Sequence, residues 1–119
     1  ARVLFQIGDP NPQLGAKWLL LDEPVSSLDI RHQIQILQLA AQFAAAGGGV
    51  VAIMHALNLT AMFADQVFMM HSGRLLAHGP ARESMTSENV SRVFECGLTV
   101  GHPPTGDVPF ILPHSAQLS

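Results

Sequence analysis

Asp22 and Glu23 are adjacent carboxylates that directly follow four apolar residues, Trp18-Leu19-Leu20-Leu21, and Pro24 comes straight after them. Two acids delivered by an apolar strand can hold a divalent cation and activate a water molecule. His55 stands directly behind a second apolar run, Val50-Val51-Ala52-Ile53-Met54. Ser26-Ser27-Leu28-Asp29 lies between the two runs and matches the pattern of a helix capping box. Each of these residues also has a plain reading. The acids can be solvated loop carboxylates. A histidine after a strand is usually a hydrogen-bonded turn residue. Asp29 can serve the positive end of a helix, and Ser26 and Ser27 can be caps. Taken singly the plain readings win; taken in order and spacing they do not.

The elements around these residues must bring them together. The run 18–21 has no polar alternation, so it reads as a strand buried on both faces, of the kind found in helix-covered parallel sheets. Pro24 stops its ladder. A helix comes next over 29–46, with Ile30, Ile34, Leu37, Ala41 and Ala44 spaced to form its core face. Gly47-Gly48-Gly49 ends it, and a β-branched strand covers 50–54. Strand, helix, strand is a βαβ unit, so the strands are parallel and the crossover right-handed. Parallel strands end on one edge of the sheet, where open α/β sheets bind ligands. Topology alone thus predicts that Asp22, Glu23 and His55 share an edge. It does not name the ligand.

The rest of the chain frames this unit. Residues 1–7 read as the end of a helix stopped by Gly8, with a loop to Lys17 that contains Gly15. A short helix is expected over 57–64. Strands at 66–70 and 74–78 form a hairpin around His71-Ser72-Gly73 at the sheet edge. After residue 80 the texture changes to two polar helices at 81–85 and 87–94. Weak strands at 98–101 and 108–112 and a loose tail from His114 complete a small α+β appendage. The chain does not begin with Met, and its opening looks like the middle of something longer, so a fragment is expected.

Composition narrows the classes. The chain is 48% hydrophobic and 13% charged, which fits a folded domain and not a disordered one. No apolar run approaches the ~20 residues that span a bilayer. The net charge is −3 and the basic residues do not cluster, which disfavours a nucleic-acid surface. Cys96 is the only cysteine, so no internal disulfide forms. His55, His71, His78, His102 and His114 are scattered without an HxxxH or HExxH pair, which argues against zinc. His71, His78, His102 and His114 read as surface or turn residues, and the five methionines as core filling.

With these residues laid out, the sequence resembles the ATP-binding-cassette (ABC) ATPases. Leu19-Leu20-Leu21-Asp22-Glu23-Pro24 looks like their Walker B strand and the glutamate after it. Ser26-Ser27-Leu28-Asp29 looks like their D-loop, and Val51-Ala52-Ile53-Met54-His55 like the strand and histidine of their H-loop. Ala64-Asp65-Gln66-Val67 and the stretch Gly73-Arg74 to Gly79 resemble the segments that come after the H-loop in that family. The likeness covers about residues 1–80 in unbroken order. It implies a partial P-loop NTPase sheet, α/β in class, with parallel strands and flanking helices, and an extension over 81–119. It also implies ATP and Mg²⁺ as ligands. Asp22 would hold the metal through water, Glu23 would be the general base, and His55 would contact the γ-phosphate. Ser27 and Asp29 would reach across a head-to-tail dimer of two such subunits. Val25 replaces a usual Thr, Ser27 a usual Ala, Met54 a common Thr, and Ala56 an Asp that often comes after the histidine. None of these removes a catalytic group, though Ala56 should loosen the H-loop.

The 119 residues contain no GxxxxGK(S/T) phosphate loop, no Q-loop and no LSGGQ signature. The chain therefore looks like the C-terminal half of a cassette, inactive by itself. His55-Ala56-Leu57-Asn58-Leu59-Thr60 and the ending 104–113 resemble the haem-importer branch, with siderophore and cobalamin importers close to it. That branch implies transmembrane permease subunits as partners, a periplasmic solute-binding protein indirectly, and a peripheral place on the cytoplasmic face of a bacterial inner membrane. Two other readings stay open: a soluble cassette ATPase of translation or DNA maintenance, and a non-catalytic remnant.

Overall fold

The computed structural model describes residues 2–10, 13 and 17–118. Strand β1 (Arg2–Ile7) comes first, followed by β2 (Trp18–Asp22), helix α1 (Ile30–Ala45) and β3 (Gly49–Met54). Helix α2 (Leu57–Phe63), the hairpin β4 (Gln66–His71) and β5 (Arg74–Gly79), and helices α3 (Ala81–Ser84) and α4 (Ser87–Phe94) complete the order. The expected loop from Asp9 to Lys17, with Gly15 inside it, lies largely outside the described residues.

The five strands form one mixed sheet in the order β2-β3-β1-β4-β5. β2 and β3 are parallel, as the crossover through α1 requires, with Asp22 opposite Ile53. β1 is antiparallel to both β3 and β4. The opening segment is therefore not the end of a helix. Val3, Phe5 and Ile7 are all buried, a period of two that fits one face of a strand. So short an apolar run does not let periodicity separate helix from strand. Two distant partners, β3 and β4, decide the matter.

Opposed residues in a ladder share a face. Val3, Phe5 and Ile7 therefore line up with Met54, Ala52 and Val50 on one side, and Val3 and Phe5 with Met69 and Val67 on the other. Ile34 and Leu37 of α1 and Leu59 of α2 pack on one part of that face. Met85 and Val90 and Val93 of α4 pack on another. The sheet's other face presents Trp18 and Leu20, which are 50% and 75% exposed. The expectation that β2 is buried on both faces is thus overturned. It is an edge strand whose inner residues, Leu19 and Leu21, pack against the core while the outer ones meet solvent. α1 turns Ile34, Leu37 and Ala40 inward, while Ile30, expected in its core face, is 44% exposed.

The hairpin is as expected and lies at the other edge. Ser72 and Gly73 both have positive φ, the conformation that lets a two-residue turn track the strand twist. The stretch after α4 forms no strand at 98–101 or 108–112. It carries a 3₁₀ turn at Pro113–Ser115 that packs on α2, with Pro113 buried. Neither segment joins the five-stranded sheet, so neither gains the ladder of backbone partners that makes a strand.

Gly8 closes β1 with φ +79. Its N–H donates to Asp65 Oδ2 at 2.7 Å and its carbonyl accepts from Gln6 Nε2 at 2.8 Å. A Cβ here would sit 2.7 Å from the Gly48 carbonyl oxygen and 3.0 Å from Ala44 Cβ. Gly8→Ala is expected to cost about 1–3 kcal/mol through backbone strain and overpacking. A urea midpoint equal to that of the parent protein would contradict this.

Candidate functional site

The parallel pair sets the site. β2 and β3 end together, and one further hydrogen bond carries the pairing past the strand: Glu23 N–H donates to Ile53 O at 2.9 Å. Glu23 then adopts φ +47, a left-handed backbone uncommon outside glycine. The chain leaves the sheet at that point. Across the gap, His55 comes directly after Met54, and its Nε2 lies 2.5 Å from Glu23 Oε1. A carboxylate accepts only, so Nε2 carries the proton in this contact. The His55 and Glu23 side chains are 56% and 38% exposed. The pair therefore stands at an open edge, where a ligand can reach both groups. Asp22, one residue earlier, ends β2 and is exposed.

The turn after Glu23 is held by its own backbone and by one buried side chain. Ser26 N–H donates to Glu23 O at 3.3 Å and Leu28 N–H to Val25 O at 3.1 Å. Val25 is 4% exposed and belongs to the core. Gln33 of α1 also donates its side-chain amide to Val25 O at 3.2 Å. The valine found where threonine is usual is thus an apolar anchor for the loop. Ser27 and Asp29 lie on the exposed outer side of this connection.

The expected capping box does not form. The N-cap of α1 is Asp29, the last residue of the four, with extended backbone at φ −72 and ψ 170. Its carboxylate accepts from His32 N–H at 3.0 Å and touches His32 Nδ1 at 2.7 Å. Nothing in the sequence reading singles out His32. An imidazole three residues beyond an N-cap aspartate is the available signal. Asp29's side chain is thus taken up by His32, not by the Glu23–His55 pair. At the next helix the N-cap is Ala56, which offers the first N–H groups of α2 no side-chain acceptor.

The His32 backbone N–H, and then its side chain, hold the Asp29 carboxyl below the ordinary value of 3.8. A depressed folded pKa contributes stability above the unfolded value and loses it as pH falls through the folded one. Asp29→Asn keeps a capping oxygen without the charge. The parent protein should melt higher than Asp29→Asn near neutral pH, and the gap should close in acid below the carboxylate range. Thermal melts of both forms across that range test this. A gap that persists in acid would mean the charge is not what stabilises the cap.

No protein-family model matches the chain. Individual relatives do. The Hemin import ATP-binding protein HmuV of Rhizobium meliloti is 55% identical over 118 residues, 99% of this chain and 45% of that protein. The protein of the same name from Mesorhizobium japonicum is 51% identical over 116 residues, 98% of this chain and 44% of that protein. Among solved structures, a metal-chelate type ABC transporter in an inward-facing conformation matches with TM-score 0.60 and 30% identity. The match covers 66% of this chain and 32% of the other. The chain belongs to the ABC ATPases. A second ABC structure, cbiO1 from Clostridium perfringens, part of the transporter complex cbiONQ, matches with TM-score 0.53 and 28% identity over 64% of this chain and 31% of that one. The cassette chain spans less than half the length of the curated relatives it matches, 45% and 44%.

Proposed function

We propose that this chain is the Walker B, D-loop and H-loop part of the ATPase subunit of an importer for haem or a related iron complex. The observation that carries the reading is the Glu23–His55 contact at the shared end of two parallel strands. In the intact subunit Glu23 takes a proton from water as it attacks the γ-phosphorus, and the bond to the ADP oxygen breaks. His55 donates a hydrogen bond to the γ-phosphate. Its present grip on Glu23 is what ATP would have to replace. Asp22 offers a hard, exposed oxygen pair of the kind Mg²⁺ takes while keeping its waters, and Glu23 is already engaged by His55. Asp22 is therefore the residue that would hold Mg²⁺ through water, and the metal would neutralise phosphate charge.

Ser27 and Asp29 are exposed and would reach the opposite site of a head-to-tail dimer, where Asp29 would have to exchange its side-chain contact with His32 for the partner. The hydrolytic part is residues 1–80 and the extension 81–119. No helix among the described residues is long and apolar enough to cross a membrane, and the subunit would sit peripherally on the cytoplasmic face, docked on permease subunits. These 119 residues hold no phosphate loop or signature, so alone they should hydrolyse no ATP. The deciding test is uptake of labelled hemin by membrane vesicles carrying the intact subunit with its permease. ATP-dependent uptake is expected. Transport of another solute with hemin excluded would refute the cargo, and hydrolysis stimulated by nucleic acid would point to a soluble cassette ATPase.

A further inference from the structure

A cavity of about 610 Å³ lies away from the Glu23–His55 site, between α2, α4 and the stretch after residue 97. That volume is within the range of small-ligand pockets. Its buried floor includes Met85 and Val90, which are 8% and 2% exposed. Phe110 and Leu112 line its walls and remain 52% and 41% exposed, apolar surface that a ligand would cover. Two imidazoles, His102 and His114, also line it.

The His102 ring is already oriented. Its Nδ1 lies 3.1 Å from the Val100 carbonyl, which can only accept, so the proton sits on Nδ1. Nε2 is left with its lone pair. A second-nitrogen bond to a backbone carbonyl is the usual support of a metal-binding histidine. Among the described residues no three of His, Cys, Asp and Glu gather to hold a bare ion. A metal that brings its own equatorial ligands needs only one protein nitrogen and apolar walls for its ring. No Lys or Arg is among the described lining residues, so the anionic edge of a ligand would have to face the solvent while its apolar part meets the walls.

We propose that this cavity binds a metalloporphyrin, with His102 Nε2 as axial ligand to a ferric iron that exchanges a water for the imidazole without changing oxidation state. The choice of porphyrin rests on the haem-import reading; the cavity and the ring orientation do not. α2, which lines the cavity through Leu57 and Ala61, begins two residues after His55, so the ligand would lie against the helix next to the phosphate-contacting histidine.

The test is a hemin titration of the intact subunit, read by the Soret band, beside His102→Ala, His114→Ala and His78→Ala. His78 lies on β5, outside the cavity. One saturable equivalent with an imidazole-ligated Soret band is expected. His102→Ala should weaken hemin binding at least about tenfold and lose that band, and added imidazole should restore it. His114→Ala should keep the band. Metal-free protoporphyrin should bind the parent and His102→Ala alike, and His78→Ala should match the parent. An unchanged band in His102→Ala, no saturable binding, or equal loss in His78→Ala or His114→Ala would overturn the site. A vesicle that takes up no hemin while the Soret result holds would overturn the importer reading instead and leave the site standing.

Discussion

Glu23→Gln in the intact subunit is expected to keep ATP binding and lower turnover by about 10²–10⁴-fold, the range a positioned general base supplies. The substitution is nearly isosteric, so the left-handed turn at Glu23 and its N–H bond to Ile53 should survive. What disappears is the ability to take a proton from water. The contact with His55 also weakens, because a neutral amide oxygen replaces a carboxylate at a 2.5 Å separation. His55→Ala should lower turnover too. The double variant should lose less than the product of the single effects, since residues acting as a unit are not additive. Single-turnover hydrolysis with separately measured ATP affinity decides this. Unchanged turnover in Glu23→Gln would mean that the acids at this edge are structural and that the short contact with His55 only ties two strand ends together.

The part of the chain proposed to carry this chemistry is also the part legible from sequence, and for a definite reason. A βαβ crossover is constrained by handedness, so β2, α1 and β3 leave one arrangement in which Glu23 and His55 meet. The hairpin is legible because Ser72-Gly73 satisfies a local conformational demand. What fails is non-local. β1 takes its identity from pairing with β3 and β4, residues 43 to 68 positions away, and no local pattern encodes that choice. The exposure of Trp18 and Leu20 comes from one face of β2 being left uncovered, whereas an unbroken apolar run reads as a strand covered on both faces. The cap fails for a smaller reason. Ser and Asp compete as N-caps with similar strength, and the backbone at Asp29 decides between them. The two strands expected after residue 97 have β-like residues, but Leu98, Val100, Phe110 and Leu112 line a cavity while Val108 and Ile111 face solvent.

The misread opening segment is where the largest loss of stability is expected. Phe5→Ala should cost about 3–5 kcal/mol, a substantial share of the ~5–15 kcal/mol that holds a typical domain folded. Phe5 has no exposed surface and lies in the central strand, opposite Ala52 of β3 and Val67 of β4. Leu37 of α1, also without exposed surface, belongs to the same core cluster. Ala52 is small, so the void left by the ring has little beside it that can collapse inward. Leu4→Ala, one position along and on the opposite face, should cost clearly less, because Leu4 is only partly buried. The contrast between neighbours is the signature of a strand, since successive side chains point to opposite faces. The same strand supports the site: Val3 pairs with Met54, the residue before His55. Phe5→Ala should therefore loosen the β1–β3 ladder and, with it, the backbone that delivers His55 to Glu23. Denaturant midpoints of the two alanine variants in the intact subunit, with ATP turnover measured well below the transition, test both steps. A Phe5→Ala cost no greater than that of Leu4→Ala would remove β1 from the centre of the sheet, and His55 would then be held from the β2 side alone.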